Sequence, residues 1–205
     1  MAFITFEGIE GCGKSTQARR LAEWLGAGTI LTREPGGTPL GEGIRTLLLD
    51  PRHAGMAPVA ESLLFFADRA EHVARRVRPA LDEGRSVVCD RYVDSSLAYQ
   101  GFGRGLPLPA LDAVAALATG GLSPDLTVLL DLPVDVGLGR VGRRGPVDRM
   151  EAEEKAFHER VRQGFLALVD REPHRWLVLD GRSAILDLET SIRAEVVRRN
   201  IGRGN

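Results

Sequence analysis

Gly8-Ile9-Glu10-Gly11-Cys12-Gly13-Lys14-Ser15 lies between an apolar run of strand length at 3–6 and an amphipathic stretch at 16–25. The octapeptide satisfies G-x-x-x-x-G-K-[ST] in the context that pattern requires, a strand before it and a helix after it. Glycines let the backbone fold into a nest of N–H groups that cradles phosphate oxygens. The helix that follows adds the positive end of its dipole. Read this way, the segment Gly8, Ile9, Glu10, Gly11, Cys12 and Gly13, with Thr16 just beyond it, wraps the phosphates of ATP. Lys14 neutralises charge on the β- and γ-phosphoryl oxygens, and the Ser15 hydroxyl is the expected Mg²⁺ ligand.

Further apolar runs of strand length occur at 29–31, 87–89, 126–130 and 176–179, separated by helical patterns such as 59–83 and 151–169. Strand, helix, strand in repetition means parallel pairing. The expectation is one α/β domain over residues 1–205, a five-stranded parallel sheet flanked by helices in three layers. In such sheets ligands bind at the carboxyl ends of the strands. The residues to watch are therefore 8–15, 33–38, Asp90, Arg91, Asp131 and Asp180. The stretch 138–150 differs from its surroundings. It is crowded with glycine and arginine and poor in apolar anchors, and it reads as a short mobile lid between two helices.

With 27 basic and 28 acidic residues among 205, the net charge of −1 argues against broad nucleic-acid or membrane-surface binding. Cys12 and Cys89 form no CxxC pair, and no zinc-type spacing is present, which suits a reducing cytosol. The N-terminal segment lacks the features of a signal peptide. No apolar run reaches the roughly 18–20 residues needed to span a bilayer. A soluble cytoplasmic protein is expected, with no nucleic acid and no membrane among its partners. His53, His72, His158 and His174 form no spaced cluster and read as surface or structural residues.

A phosphate cradle names a nucleotide, not a reaction. The Asn-Lys-x-Asp motif of GTP-binding switches is absent, since the only asparagines are Asn200 and Asn205. The short chain favours a small-substrate kinase. Three further motifs bear on which one. Arg33-Glu34-Pro35-Gly36-Gly37-Thr38 follows the second strand, Phe65-Phe66-Ala67-Asp68-Arg69 lies in a helical pattern, and Asp90-Arg91-Tyr92 ends the third strand ahead of Ser95-Ser96-Leu97-Ala98-Tyr99-Gln100-Gly101. Together they resemble the thymidylate kinase family over about residues 3–169. Two other readings stay open from residues alone, a P-loop kinase of another small substrate and a nucleotide-binding module without turnover.

The resemblance implies a homodimer that transfers the γ-phosphoryl group of ATP to dTMP in dTTP synthesis, with Mg²⁺. It implies that thymine stacks on Phe65 with its O4 near Arg69, residues that share a helix face. Phe66, one position on, reads as core. The resemblance also implies base contacts from Ser96 and Gln100 and a Tyr99 that crowds the sugar 2′ side. Glu10 lies near the acceptor sugar and phosphate, and Arg33, Glu34 and Arg45 face the acceptor. Asp90 fits a Mg²⁺-organising carboxylate, and Arg91 is suited to grip the acceptor monophosphate. Some members carry an arginine directly after the P-loop acidic residue. Here that position is Gly11, and the segment 144–149 resembles the lid of the other type. Arg144 is then the catalytic arginine, with Arg140 and Arg149 as supporting cations at the ATP phosphates. Lys14, Arg91, Arg144 and Glu10 form the expected catalytic set.

Overall fold

The computed structural model describes residues 1–143 and 145–201. Five parallel strands form one sheet in the order β2-β3-β1-β4-β5. They are β1 (Phe3–Glu7), β2 (Ile30–Arg33), β3 (Val87–Asp90), β4 (Leu126–Asp131) and β5 (Trp176–Asp180). Each expected strand is present, extended by one or two residues at its carboxyl end. β1 is buried along its whole length between β3 and β4. Its uninterrupted Phe-Ile-Thr-Phe-Glu run is what a strand covered on both faces requires.

Helices α1 (Lys14–Leu25), α2 (Pro39–Leu49), α3 (Pro58–His72), α4 (Arg78–Asp82), α5 (Val93–Ser96), α6 (Leu108–Thr119), α7 (Val134–Val141), α8 (Lys155–Arg171) and α9 (Ile185–Arg198) cover the sheet. The helical pattern 59–83 is realised as α3 and α4 joined through wide turns at Val73–Val77. Pro79 has no N–H to offer the carbonyl four residues before it, and the helix opens there rather than breaking. A second wide-turn segment, Leu97–Gly103, continues α5 and carries Tyr99 and Gln100 into the interior.

Two expectations are corrected. The stretch 138–150 is not a loop throughout, because α7 runs to Val141 and so contains its first four residues. The same stretch ends buried, with Arg149 and Met150 inside the protein. The helical pattern 151–169 is realised as α8, which begins at Lys155 and ends at Arg171.

The main core gathers Ile4, Phe6, Phe66, Leu129, Phe157 and Phe165 with their neighbours. Phe66 is 3% exposed, whereas Phe65 is only partly covered. The Arg69 guanidinium carbon lies 5.0 Å from the Phe66 ring centroid. Phe66→Ala removes a buried aromatic ring and should cost about 3–5 kcal/mol of stability, read by urea denaturation. Phe65→Ala should cost much less. Equal losses from the two would show that the faces of α3 are wrongly assigned.

Candidate active site

One cleft of about 500 Å³ opens at the carboxyl ends of β1, β2 and β3. Its walls bring together Lys14, Ser15, Asp90 and Arg91 at the sheet and Phe65, Ser96, Tyr99 and Gln100 further out. Arg33, Glu34, Arg45, Glu10, Gly11, Gly13, Thr16 and Arg140 also line it.

The phosphate end follows from backbone geometry. Gly8 has φ 138°, and a Cβ there would lie 2.7 Å from the Leu130 carbonyl oxygen, so only glycine lets the loop leave β1 beside β4. Gly11 has φ 72°, and a Cβ on it would collide with the carbonyl oxygen of Gly137 on α7. This backbone excludes an arginine at position 11. Lys14 reaches back over the loop, its Nζ 3.4 Å from the Ile9 carbonyl oxygen. Arg140 Nη1 donates to the carbonyls of Gly11 and Gly181, each at 3.1 Å. The Ser15 hydroxyl donates to Asp90 Oδ2, and Asp90 Oδ1 is buried without a partner among the described residues. A hydroxyl and a carboxylate with an orphaned oxygen form an all-oxygen donor set, which fits a hard cation such as Mg²⁺.

At the seam of the cleft Arg91 adopts φ 74°, the left-handed region that few side chains tolerate. Its N–H donates to the Phe6 carbonyl at 2.9 Å. Its guanidinium donates to Ser95 Oγ at 3.0 Å, Glu10 Oε1 at 3.1 Å and Tyr99 Oη at 3.0 Å. Tyr99 donates in turn to Glu10 Oε1 at 2.5 Å. Burial alone would raise the Glu10 pKa. His158, Arg91, Lys14 and Tyr99 outweigh it and hold the carboxylate down at about 2.

On the α3 side Arg69 lies behind the cleft wall rather than along it, 1% exposed. Its Nε donates to Glu34 Oε2 at 2.8 Å, Nη1 to Ser96 Oγ at 2.9 Å and Nη2 to the Tyr92 carbonyl at 2.8 Å. Three of its five N–H groups are thus engaged inside the protein. Arg33 pairs with Glu42 at the surface, and Arg45 donates to the Pro35 carbonyl at 2.9 Å. Arg149 departs most from expectation. It is not a lid cation in the open cleft but is buried, with Nη1 2.6 Å from Glu61 Oε2 and Nε 2.6 Å from the Leu48 carbonyl oxygen. Burial makes an ion-paired partner obligatory for such a charge. Arg144 lies outside the described residues.

Two of the four histidines read as surface or structural are buried beside carboxylates that line the cleft. His158 is 1% exposed, with Nδ1 3.3 Å from Glu10 Oε2, and His72 Nδ1 lies 2.8 Å from Glu34 Oε1. Both come from elements distant in sequence and carry no local signal. His53 and His174 are at the surface, as expected.

A sequence model described as thymidylate kinase matches residues 6–192. The chain belongs to the thymidylate kinase family. It is 54% identical to a thymidylate kinase of Deinococcus radiodurans, covering 96% of this chain and 97% of that one. A Desulfovibrio desulfuricans relative of the same description is 50% identical over 98% and 99%. The crystal structure of thymidylate kinase from Ehrlichia chaffeensis superposes with a TM-score of 0.78 at 35% identity, covering 96% of this chain and 98% of that one.

Glu7, at the end of β1, is fully buried. It accepts from the Tyr92 N–H at 2.8 Å and Ser95 Oγ at 2.5 Å. Burial, with the charge of Asp94, pushes its pKa from the ordinary 4.5 up to about 8. The folded enzyme therefore holds a proton that the unfolded chain has lost between about pH 4.5 and 8. This contribution to stability is complete below pH 4.5 and declines as pH rises through that window. Glu7→Gln should flatten the decline, measured by denaturation at stepped pH. An unchanged slope would mean that Glu7 is ionised in the fold.

Proposed function

We propose that the cleft aligns the two nucleotides end to end, with ATP on the loop 8–15 and dTMP between Arg91 and Phe65. The reaction is that of the family, transfer of the γ-phosphoryl group of ATP to dTMP to give ADP and dTDP. The observation that carries the residue assignment is the continuity of one cleft from Lys14 and Ser15, past Asp90 and Arg91, to Phe65, Ser96 and Gln100.

Phosphoryl transfer needs alignment and positive charge around the moving group more than acid–base chemistry. Lys14 supplies charge at the β- and γ-phosphates, and Arg140 lies alongside. Arg91 grips the acceptor phosphate, and the Glu10 carboxylate fixes the direction in which that guanidinium points. Tyr99, hydrogen-bonded to both, closes the sugar side and favours a deoxyribose. Phe65 stacks on the base; Ser96 and Gln100 address its polar edge, and Arg69, Glu34, Arg33 and Arg45 support the acceptor end. Ser15 and Asp90 would hold Mg²⁺, which when bound neutralises phosphate charge as a Lewis acid. Arg149 is assigned here to holding the acceptor wall rather than to binding ATP.

Among the described residues no helix is long and apolar enough to cross a membrane, which supports the cytoplasmic setting proposed here. The exposed Val59 and Leu63 on α3 support a homodimer through that helix.

A coupled assay of ATP consumption with dTMP tests the assignment. Lys14→Ala removes a side chain whose only hydrogen bond among the described residues is to Ile9. It should keep the native circular dichroism spectrum and lose nearly all turnover. Near-native activity would remove Lys14 from the transfer step.

Arg144 is the cation that arrives with the lid, a role read from sequence. The exclusion of a side chain at Gly11 supports it, because the charge must then come from elsewhere. Arginine fingers contribute on the order of 10³–10⁵ in rate. Arg144→Ala should cut kcat by at least about a hundredfold, allowing for partial cover by Arg140 or Arg143, with KM for both substrates little moved. A raised KM for ATP with kcat intact would make Arg144 a binding contact only.

A further inference from the structure

Glu61 is the first-turn carboxylate of α3, one turn before Phe65, and it is completely buried. Arg104 binds it through two nitrogens, at 3.1 Å to Oε1 and 2.9 Å to Oε2, and Arg149 Nη1 adds a third contact at 2.6 Å. A fourth donor completes the set. Gln100 Nε2 lies 3.0 Å from Glu61 Oε1. Burial by itself would raise the Glu61 pKa, but the hydrogen bonds from Arg104, Gln100 and Arg149 outweigh it and hold the group ionised.

An ionised carboxylate only accepts hydrogen bonds. A side-chain amide beside it has one stable orientation, nitrogen toward the carboxylate. The reverse would set two oxygens against each other in a buried site. The Gln100 carbonyl oxygen is then turned the other way. Gln100 is 1% exposed and lines the cleft, and among the described residues no donor meets its Oε1. The wall beside Phe65 thus presents an acceptor of fixed polarity.

We propose that Glu61 is a positioning residue for base selection, orienting the Gln100 amide so that its oxygen accepts from a pyrimidine N3–H. Thymine and uracil carry that hydrogen, whereas cytosine carries a lone pair at the same atom and is repelled. The inference rests on the reading of Gln100 as a base contact. It makes the discrimination depend on a carboxylate that never touches the nucleotide. Arg149 joins the end of the lid segment to the same carboxylate, so the amide and the lid's anchor share one buried charge.

The test is steady-state kinetics with dTMP, dUMP and dCMP. In Glu61→Gln the amide at 61 both donates and accepts, and Gln100 is free to turn. The ratio of kcat/KM for dTMP over dCMP should fall at least about tenfold, through KM, with kcat for dTMP nearly unchanged and dUMP following dTMP. A merely structural role lowers all three together, and an unchanged ratio overturns the proposal. Gln100→Met leaves the Glu61 ion pairs with Arg104 and Arg149 in place and should lose the same discrimination. In that background Glu61→Gln should change the ratio no further, because its action passes through Gln100. An additional independent loss also overturns the proposal. Gln100→Met with native discrimination would instead sink the base contact itself, and a wild-type enzyme inactive on dTMP would sink the wider reading. Should Glu61→Gln not fold, hydrogen exchange of the Gln100 side-chain amide in the wild-type enzyme decides. Slow exchange is expected, and exchange at the rate of a free amide overturns the proposal.

Discussion

The buried contact between Glu10 and Arg91 joins the two halves of the cleft. Glu10 belongs to the phosphate loop after β1, and Arg91 to the turn after β3, two neighbouring strands. Arg91 sits in a backbone conformation that costs a side-chain-bearing residue of order 1–3 kcal/mol. It persists because its surroundings over-determine it. Its N–H is bound to Phe6, and its guanidinium is bound to Ser95, Glu10 and Tyr99. The guanidinium also lies 4.9 Å from the centre of the Tyr99 ring. The strained turn aims the arginine at Glu10, and the spacing between the loop after β1 and the turn after β3 is set with it.

The same device recurs behind the cleft wall that carries Phe65, Ser96 and Gln100. Glu34 joins Arg69 and His72, and Glu61 joins Arg104 and Arg149, all largely removed from solvent. Buried ion pairs add little net stability over well-packed apolar groups, because desolvation offsets their attraction. Breaking one side leaves an unpaired buried charge, which costs several kcal/mol. What such pairs provide is direction. Each holds from behind a group that lines the cleft: Ser96 through Arg69, Gln100 through Glu61, and Arg91 through Glu10. Preorganised polar groups need not reorient when charge develops during transfer.

Close backbone approach is the second constraint. Gly137 on α7 packs against the phosphate loop so tightly that neither it nor Gly11 has room for a Cβ. The helix leading into the segment 138–150 is thereby seated on the nucleotide-binding loop itself. The loop beneath that helix has no space for a side chain at position 11.

The sheet with its five strands, the phosphate loop and the family were legible in the residues alone. These rest on local signals: apolar runs of strand length, glycines where φ must be positive, and short motifs at strand ends. The separation of Phe65 from Phe66 was also legible, because adjacent helical residues point to different faces. Which charges look into the cleft and which stand behind it is set by how the elements pack. Arg69 and Arg149 read as ligand-facing cations, yet both are buried in ion pairs with partners 35 and 88 residues away. His158 and Glu61 gave no signal, for the same reason. A buried charge is placed by the partner that neutralises it, and that partner comes from a different element, brought near only when the helices close over the sheet.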